Sequence, residues 1–208
     1  MNPILASAAL AIAAVLPAGH PATGQLPEKP VVLQFGPGIN HVKLDGQPYT
    51  LVSAWRDNGN AHGYNVVNVY TDGPVNHGAT TLAAVPAFVR DPTDPKKKQP
   101  EELGLTTSGG ADCTLHTFRI FYSNDTKGTQ LVIADREFGK SFADTEEVHF
   151  TFYRLVDHSD DGAGDAPHSF DFDRVVEAKA RYCDVDEALQ KELGMPPVVG
   201  ASLPWAGE

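Results

Sequence analysis

The sequence is poor in the residue patterns that usually mark catalytic and metal centres. It has 2 cysteines and 2 methionines among 208 residues, and its 8 histidines are scattered along the chain. It contains no CxxC pair, no GxSxG nucleophile elbow and no HxHxD cluster. The SxxK, SDN and KTG motifs of serine β-lactamases are also missing, because Ser123-Asn124-Asp125 and Lys127-Gly128-Thr129 carry similar residues in a different order. The sequence therefore gives little support to a known hydrolase class.

Positive charge is also scarce. The chain has 16 lysines and arginines against 27 aspartates and glutamates, which gives a formal net charge of -11 and an isoelectric point near 5.1. Non-specific binding to nucleic acid depends on clustered positive charge, so this composition argues against a nucleic-acid partner. The one basic run, Lys96-Lys97-Lys98, lies between prolines and predicts a solvated loop.

Long apolar runs are absent except near the N-terminus. "ILASAALAIAAVL", residues 4–16, is too short for a membrane span but suits the apolar region of a secretory signal peptide, although no lysine or arginine precedes it. A core helix is the alternative. The sequence thus predicts a signal peptide and linker over 1–25, a single β-rich domain over 26–195 and a loosely attached tail over 196–208. Export would place the mature protein in the periplasm, with no membrane span after removal of the signal.

The two cysteines, Cys113 and Cys183, fit an exported protein. In an oxidising compartment they predict one long-range disulfide, whereas a cytosolic protein would keep two buried free thiols. Closing a loop of about 70 residues stabilises a fold by roughly 4 kcal/mol in the chain-entropy model.

The body of the chain predicts a mainly β fold, an antiparallel β-sandwich or barrel-like sheet with a short C-terminal helix. Asp45-Gly46 between two alternating stretches predicts a hairpin. "YNVVNVYT" sets Val67 and Val69 against polar Asn65 and Asn68, and "VVEAKARY" alternates as a strand does, with a helix as the alternative. "DVDEALQKELG" predicts a helix that Asp184 or Asp186 caps and Gly194 ends.

The stretch "WRDNGNAHGYN" is the candidate ligand site. Its indole can stack on a flat ligand, its guanidinium can pair with a carboxylate, and its amides and imidazole can form hydrogen bonds. The predicted ligand-binding residues are Trp55, Arg56, Asn58, Asn60 and His62. The alternative is a polar turn, since Asp57, Gly59 and Gly63 are turn formers and Trp55 with Arg56 can cover a core edge.

An acidic stretch, "DHSDDGAGDAPH", resembles part of a calcium-binding loop. Asp157, Ser159, Asp161 and Asp165 fall at the first, third, fifth and ninth positions and are the candidate metal ligands. His168 replaces the glutamate expected at the twelfth position, so a flexible acidic loop is the alternative. No other cofactor is predicted.

Four motifs together resemble the carbapenem self-resistance family of CarG-like proteins. They are "LVSAWRDNGNAHGYNVVNVYT", "ADCTLHTFRIFY", "VHFTFYRL" and "RYCDVDEAL", in the family's order and over most of residues 45–190. The resemblance implies a periplasmic protein that protects a Gram-negative cell from carbapenem without being a recognised β-lactamase, beside a CarF-like partner protein.

Three hypotheses follow for function. The protein binds a β-lactam, or protects against it, without hydrolysis; it is a structural or interaction module of the envelope; or it is an unrecognised hydrolase whose active site is assembled from distant residues. Each of the three hypotheses is compatible with a homo-oligomer.

Overall fold

The computed structural model describes residues 29–60, 62–76, 79–88, 101–160 and 166–203. The predicted signal peptide lies outside this part of the chain. The described residues form one α-helix, a short 3-10 helix over Val199–Ala201, and twelve strands. The strands and the α-helix are β1 (Val31–Val32), β2 (Gly38–Leu44), β3 (Gln47–Arg56), β4 (Tyr64–Asn76), β5 (Ala79–Ala84), β6 (Ala87–Phe88), β7 (Glu101–Glu102), β8 (Leu105–Gly109), β9 (Thr114–Ser123), β10 (Gly128–Arg136), β11 (Val148–Asp157), β12 (His168–Glu177) and α1 (Val185–Leu193).

The strands form one open, mostly antiparallel sheet, which confirms the predicted mainly β class. Their order is β2-β3-β4-β8-β9-β10-β11-β12-β6-β7, with β1 paired to β9 and β5 paired to β4. Among the described strands, β6 and β12 form the parallel pair. No helix in the described residues is both long and apolar enough to cross a membrane.

The predicted hairpin at Asp45-Gly46 joins β2 to β3. Both residues have positive φ, 50° and 83°, as a two-residue turn between twisted strands requires. The Asp45 carboxylate also accepts hydrogen bonds from the backbone N–H and the hydroxyl of Thr129, at 2.8 and 2.9 Å. The turn is thereby tied to β10.

Two apolar clusters form the core. The first joins side chains from strands far apart in the sheet order, including Leu51, Val67, Phe118 and Phe170, so the sheet curls around it. The second lies between α1 and the strands β9, β10 and β11. The three central strands are therefore covered on both faces.

Helix α1 begins and ends where the sequence predicts. Asp184 is the N-cap, and its side chain accepts hydrogen bonds from the backbone N–H groups of Asp186 and Glu187. Gly194 ends the helix in the left-handed conformation, with φ 68°. The predicted disulfide between Cys113 and Cys183 is present, with the two Cα atoms 5.7 Å apart, and it anchors the chain just before the helix.

The prediction for "VVEAKARY" is wrong beyond Glu177, where β12 ends. The following residues form neither strand nor helix, and Tyr182 makes a single bridge to Glu146. Its hydroxyl donates to Glu192 of α1 at 2.9 Å. The chain thus leaves the sheet to reach the disulfide and the helix, which a period-2 pattern does not reveal.

Residues 196–203, here called the C-terminal segment, pack onto the sheet, whereas the sequence predicts a loosely attached tail. Val198, Ala201 and Leu203 are each at most 3% exposed. A Cβ placed on Gly200 would lie 2.3 Å from the Phe35 ring, and the Gly200 N–H donates to the Phe35 carbonyl at 2.9 Å. The segment is therefore part of the folded body.

Candidate functional site

Beneath the C-terminal segment lies a buried row of polar side chains, here called the polar row. The row runs across four neighbouring strands, β3, β4, β8 and β9. Its members are each at most 6% exposed and are Ser53, Asn65, Thr107, Thr117 and Arg119. Asn65 pairs in register with Thr107 on one side and with Trp55 on the other, so the row leads directly to Trp55.

The polar row binds main-chain carbonyls of the C-terminal segment. The Ser53 hydroxyl and the Asn65 amide both donate to the Gly200 carbonyl at 2.6 Å. The Thr107 hydroxyl donates to the Ala201 carbonyl, also at 2.6 Å. Burial of an unpaired polar group is energetically unfavourable. Here the side-chain donors of the polar row and the carbonyls of the C-terminal segment satisfy one another.

Arg119 extends these contacts to the beginning of the segment and to the helix. Its Nε donates to the Pro196 carbonyl at 2.8 Å, and its guanidinium forms an ion pair with Asp186 of α1. Burial raises the pKa of Asp186, and the positive charge of Arg119 opposes that shift. One buried guanidinium thus joins the sheet, the helix and the segment.

Between the C-terminal segment and the end of β3 lies a cavity of about 350 Å³. Described residues of the sheet, of the β1–β2 connection and of the segment line it: Pro37, Ser53, Trp55, Asn65, Pro197, Val199, Ser202 and Leu203. The backbone approaches the Trp55 ring at Gly63, where a Cβ would lie 2.2 Å from the indole. Glycine at this position lets the ring sit against the loop.

Of the five predicted ligand-binding residues, Trp55 lines this cavity and Arg56 does not. Successive side chains of a strand point to opposite faces of a sheet. Arg56 therefore lies on the other face, with its guanidinium 5.3 Å from the centre of the Tyr64 ring. The two residues do not converge on one ligand.

Asn58, Asn60 and His62 lie together in the loop between β3 and β4. The Asn58 amide donates to the His62 carbonyl at 2.6 Å, and Asn60 Oδ1 accepts from the His62 N–H at 2.9 Å. These are the contacts of a polar turn. The side-chain amides thus stabilise the loop. This is the polar turn that was the alternative interpretation of the sequence.

The His62 ring contacts a second loop, formed by residues 137–147. Its centre lies 4.7 Å from the centre of the Phe142 ring, and Nδ1 lies 3.3 Å from the Gly109 carbonyl oxygen. Phe138 packs edge-on against Phe142 at 5.2 Å and is 64% exposed. An aromatic surface therefore lies beside the loop that follows Trp55.

The predicted calcium loop is described only in part, because Asp161 and Asp165 lie outside the described residues. The hydroxyl and the backbone N–H of Ser159 donate to Asp157, and these hydrogen bonds hold the pKa of the Asp157 carboxyl below its usual range. Within the described ranges, no three histidine, cysteine or acidic side chains are grouped as metal ligands. The calcium site stays a prediction.

The polar row is not among the residues predicted from the sequence, apart from its position beside Trp55. The pattern "YNVVNVYT" predicts separate apolar and polar faces, yet Asn65 shares its face with Val67 and Val69 and is 6% exposed. The signal was a polar residue at the spacing of the core residues on a strand. The same signal occurs at Ser53, two residues after Leu51, which is fully buried.

The fold is similar to that of the CarG protein, as its crystal structure shows. The two structures align with a TM-score of 0.57 and 23% sequence identity, over 77% of this chain and 94% of CarG. At this identity the likeness shows a CarG-like fold. No protein-family model matches the chain, and no curated protein matches it.

Proposed function

We propose that this protein is an exported protective protein of the CarG type that binds a small molecule in the Trp55 cavity without hydrolysing it. The CarG-like fold and the four motifs that resemble the carbapenem self-resistance family support this function. The resemblance makes a carbapenem, or another β-lactam, the first ligand to test. The disulfide supports a periplasmic location, because such bonds persist in oxidising compartments.

The cavity at Trp55 is the observation that carries the proposal. Its volume of about 350 Å³ lies at the small end of the range of ligand sites, which suits a compact molecule. One wall is an indole on a strand, and the opposite wall is a segment that buried hydrogen bonds fix. Both walls are thus formed before a ligand arrives, which lowers the cost of binding.

Carbapenem tolerance in a susceptible host tests the proposal. Expression of the exported protein should raise tolerance, and Trp55→Ala should abolish the increase while Arg56→Ala, on the opposite face of β3, retains it. Thermal unfolding of both variants controls for loss of fold. Equal protection by Trp55→Ala and the unchanged protein would exclude the cavity as the site.

Loss of the β-lactam ultraviolet absorbance distinguishes binding from hydrolysis. When purified protein is incubated with excess carbapenem, the β-lactam absorbance should fall by no more than the equivalent of one carbapenem molecule per protein molecule and should then stay constant. Steady turnover would instead favour the unrecognised hydrolase and contradict the proposal.

A role as an envelope interaction module is the second candidate, and the exposed Phe138 beside Phe142 and His62 favours it. Exposed aromatic side chains are enriched at protein interfaces. Phe138→Ser should leave protection intact if the cavity is the site, and should remove it if this aromatic surface contacts a CarF-like partner. Calorimetry showing no heat with any β-lactam, together with loss of protection in Phe138→Ser, would favour the second candidate.

A further inference from the structure

The walls of the Trp55 cavity carry no charged side chain among the described residues that form them. A site that binds a carboxylate in proteins usually supplies an arginine, a lysine or several N–H donors. The nearest arginine in the strand, Arg56, lies on the other face of β3, over Tyr64. The described lining residues therefore offer no cation to an anionic group.

Three polar side chains of the cavity wall already donate to main-chain carbonyls. The Ser53 hydroxyl donates to the Gly200 carbonyl, and the Ser202 hydroxyl donates to the Val198 carbonyl at 2.7 Å. The Asn65 amide uses one of its two N–H bonds on the Gly200 carbonyl. What these side chains still offer is mainly acceptor capacity, because each hydroxyl has a single hydrogen.

At three of the lining residues the backbone offers no further donor. Pro37 and Pro197 have no N–H, and the Ser202 N–H donates to the Val199 carbonyl. A carboxylate in the cavity would lose its hydration without gaining comparable hydrogen bonds, which is unfavourable.

The rest of the wall is apolar, and the protein as a whole repels anions. Trp55, Val199 and Leu203 present a ring and two branched side chains. The net charge of -11 does not change on removal of residues 1–25, which contain no Asp, Glu, Lys or Arg. A surface of this charge lowers the local concentration of anions.

We infer that the Trp55 cavity takes an uncharged ligand, one with an apolar ring face for the indole and its own hydrogen-bond donors for the acceptor oxygens of Ser53, Ser202 and Asn65. The inference rests on the proposed function, since it concerns the same cavity. Applied to a β-lactam, it means that the carboxylate lowers the affinity and is not the recognised group.

A matched pair of probes tests this inference. One carbapenem without a basic side chain is used as the free acid and as its methyl ester, so that the ester is uncharged. Each is titrated into the full mature protein by calorimetry, with Trp55→Ala as the control for the site. The ester should bind at least fivefold more tightly than the acid at low salt. Added salt should narrow the gap, because it screens the repulsion between the acid and the protein.

A cation introduced at the mouth of the cavity sharpens the test. Val199 is 71% exposed, so substitution there leaves the core intact. Val199→Lys should raise the affinity for the acid at least fivefold relative to Val199→Gln, which also removes the apolar side chain from the wall but adds no charge. The affinity for the ester should be the same in these two variants.

The outcomes separate the inference from the proposed function. Equal or tighter binding of the acid, lost in Trp55→Ala, overturns the inference and leaves the function standing. An acid affinity that Val199→Lys does not raise also overturns it. No heat from either probe overturns both the inference and the binding function.

Discussion

Helix α1 and the C-terminal segment both cover the sheet and both bury apolar side chains, but the backbone of the segment accepts many more hydrogen bonds from the strands. Val185, Ala188 and Leu189 of the helix are fully buried against apolar strand residues. The segment buries Val198 and Ala201 in the first apolar cluster, but donors of the polar row also bind its carbonyls at Pro196, Gly200 and Ala201. Apolar burial is non-directional, whereas a hydrogen bond fixes the position of its acceptor.

This difference explains why the segment is suited to form a cavity wall. Its backbone is fixed through carbonyl oxygens, so the side chains of Val199 and Ser202 are left at the cavity. Substitutions there change the wall without removing the contacts that hold it. The helix differs, because its side chains, and not its backbone, attach it to the sheet. A substitution of its buried side chains would therefore weaken its attachment.

Arg119→Met should give the largest loss of stability, because Arg119 is bonded to both covers. It leaves the buried Asp186 carboxylate without its partner and the Pro196 carbonyl without its donor. We expect a decrease of about 4 kcal/mol in the free energy of unfolding at pH 7, measured by urea denaturation. Replacing both members in Arg119→Met/Asp186→Leu should recover most of this loss.

The loss should also depend on pH. Burial raises the pKa of Asp186 and Arg119 opposes the shift, so the variant has the higher pKa. A folded carboxyl whose pKa exceeds its unfolded value of about 3.9 binds protons more tightly than the unfolded one, and stability then falls as pH rises through the folded pKa. Arg119→Met should thus be less destabilising at pH 4 than at pH 7. An equal loss at both would contradict a buried, unpaired Asp186.

Leu189→Ala tests the apolar cover alone. Leu189 has no exposed surface, so the substitution removes buried apolar area and leaves a cavity. We expect a decrease of about 3 kcal/mol in unfolding free energy, with β-lactam affinity unchanged. Leu193→Ala, at the partly buried end of the helix, should cost less. Loss of ligand affinity in Leu189→Ala would show that the two covers are not independent.

Thr107→Val tests the hydrogen-bonded cover alone. It keeps the shape of the side chain but removes the donor to the Ala201 carbonyl. We expect a decrease of about 2 kcal/mol, since a buried carbonyl loses its closest partner. Faster amide hydrogen exchange at Gly200 and Ala201 should accompany it. The control Thr106→Val, at the neighbouring strand position, should change neither the unfolding free energy nor the exchange rate. Slowed or unchanged exchange in Thr107→Val would argue against the polar row as the anchor of the segment.

The helix ends and the first hairpin could be predicted from local sequence. Asp184 and Gly194 mark the ends of the helix by local chemistry, and Asp45-Gly46 marks the hairpin in the same way. Such signals involve residues close in sequence. The helix, the hairpin and the mainly β class were therefore predictable. The disulfide was predictable for another reason, since two cysteines allow one pairing.

The C-terminal segment was not predictable, because its anchors are distant in sequence. Gly200 is bound by Ser53 and Asn65, 147 and 135 residues away. Nothing in "PPVVGASLP" is periodic, so it resembles a loose tail. For the site, Trp55 could be chosen for its chemistry, but the opposite direction of Arg56 and the use of Asn58 and Asn60 within the turn depend on the register of β3 with β4.

Asp184→Ala should give the smallest effect of the four, about 1 kcal/mol, because it removes a cap and no core group. Its carboxylate accepts from the Asp186 and Glu187 N–H groups and, at 3.0 Å, from the Thr114 N–H beside the disulfide. Asp184→Asn keeps a capping oxygen and should lose less than half as much in thermal unfolding. If Asp184→Ala instead cost as much as Leu189→Ala, capping would contribute as much as apolar burial to attaching the helix. Hydrogen bonds would then matter equally for the helix and for the C-terminal segment, and the contrast between them would not hold.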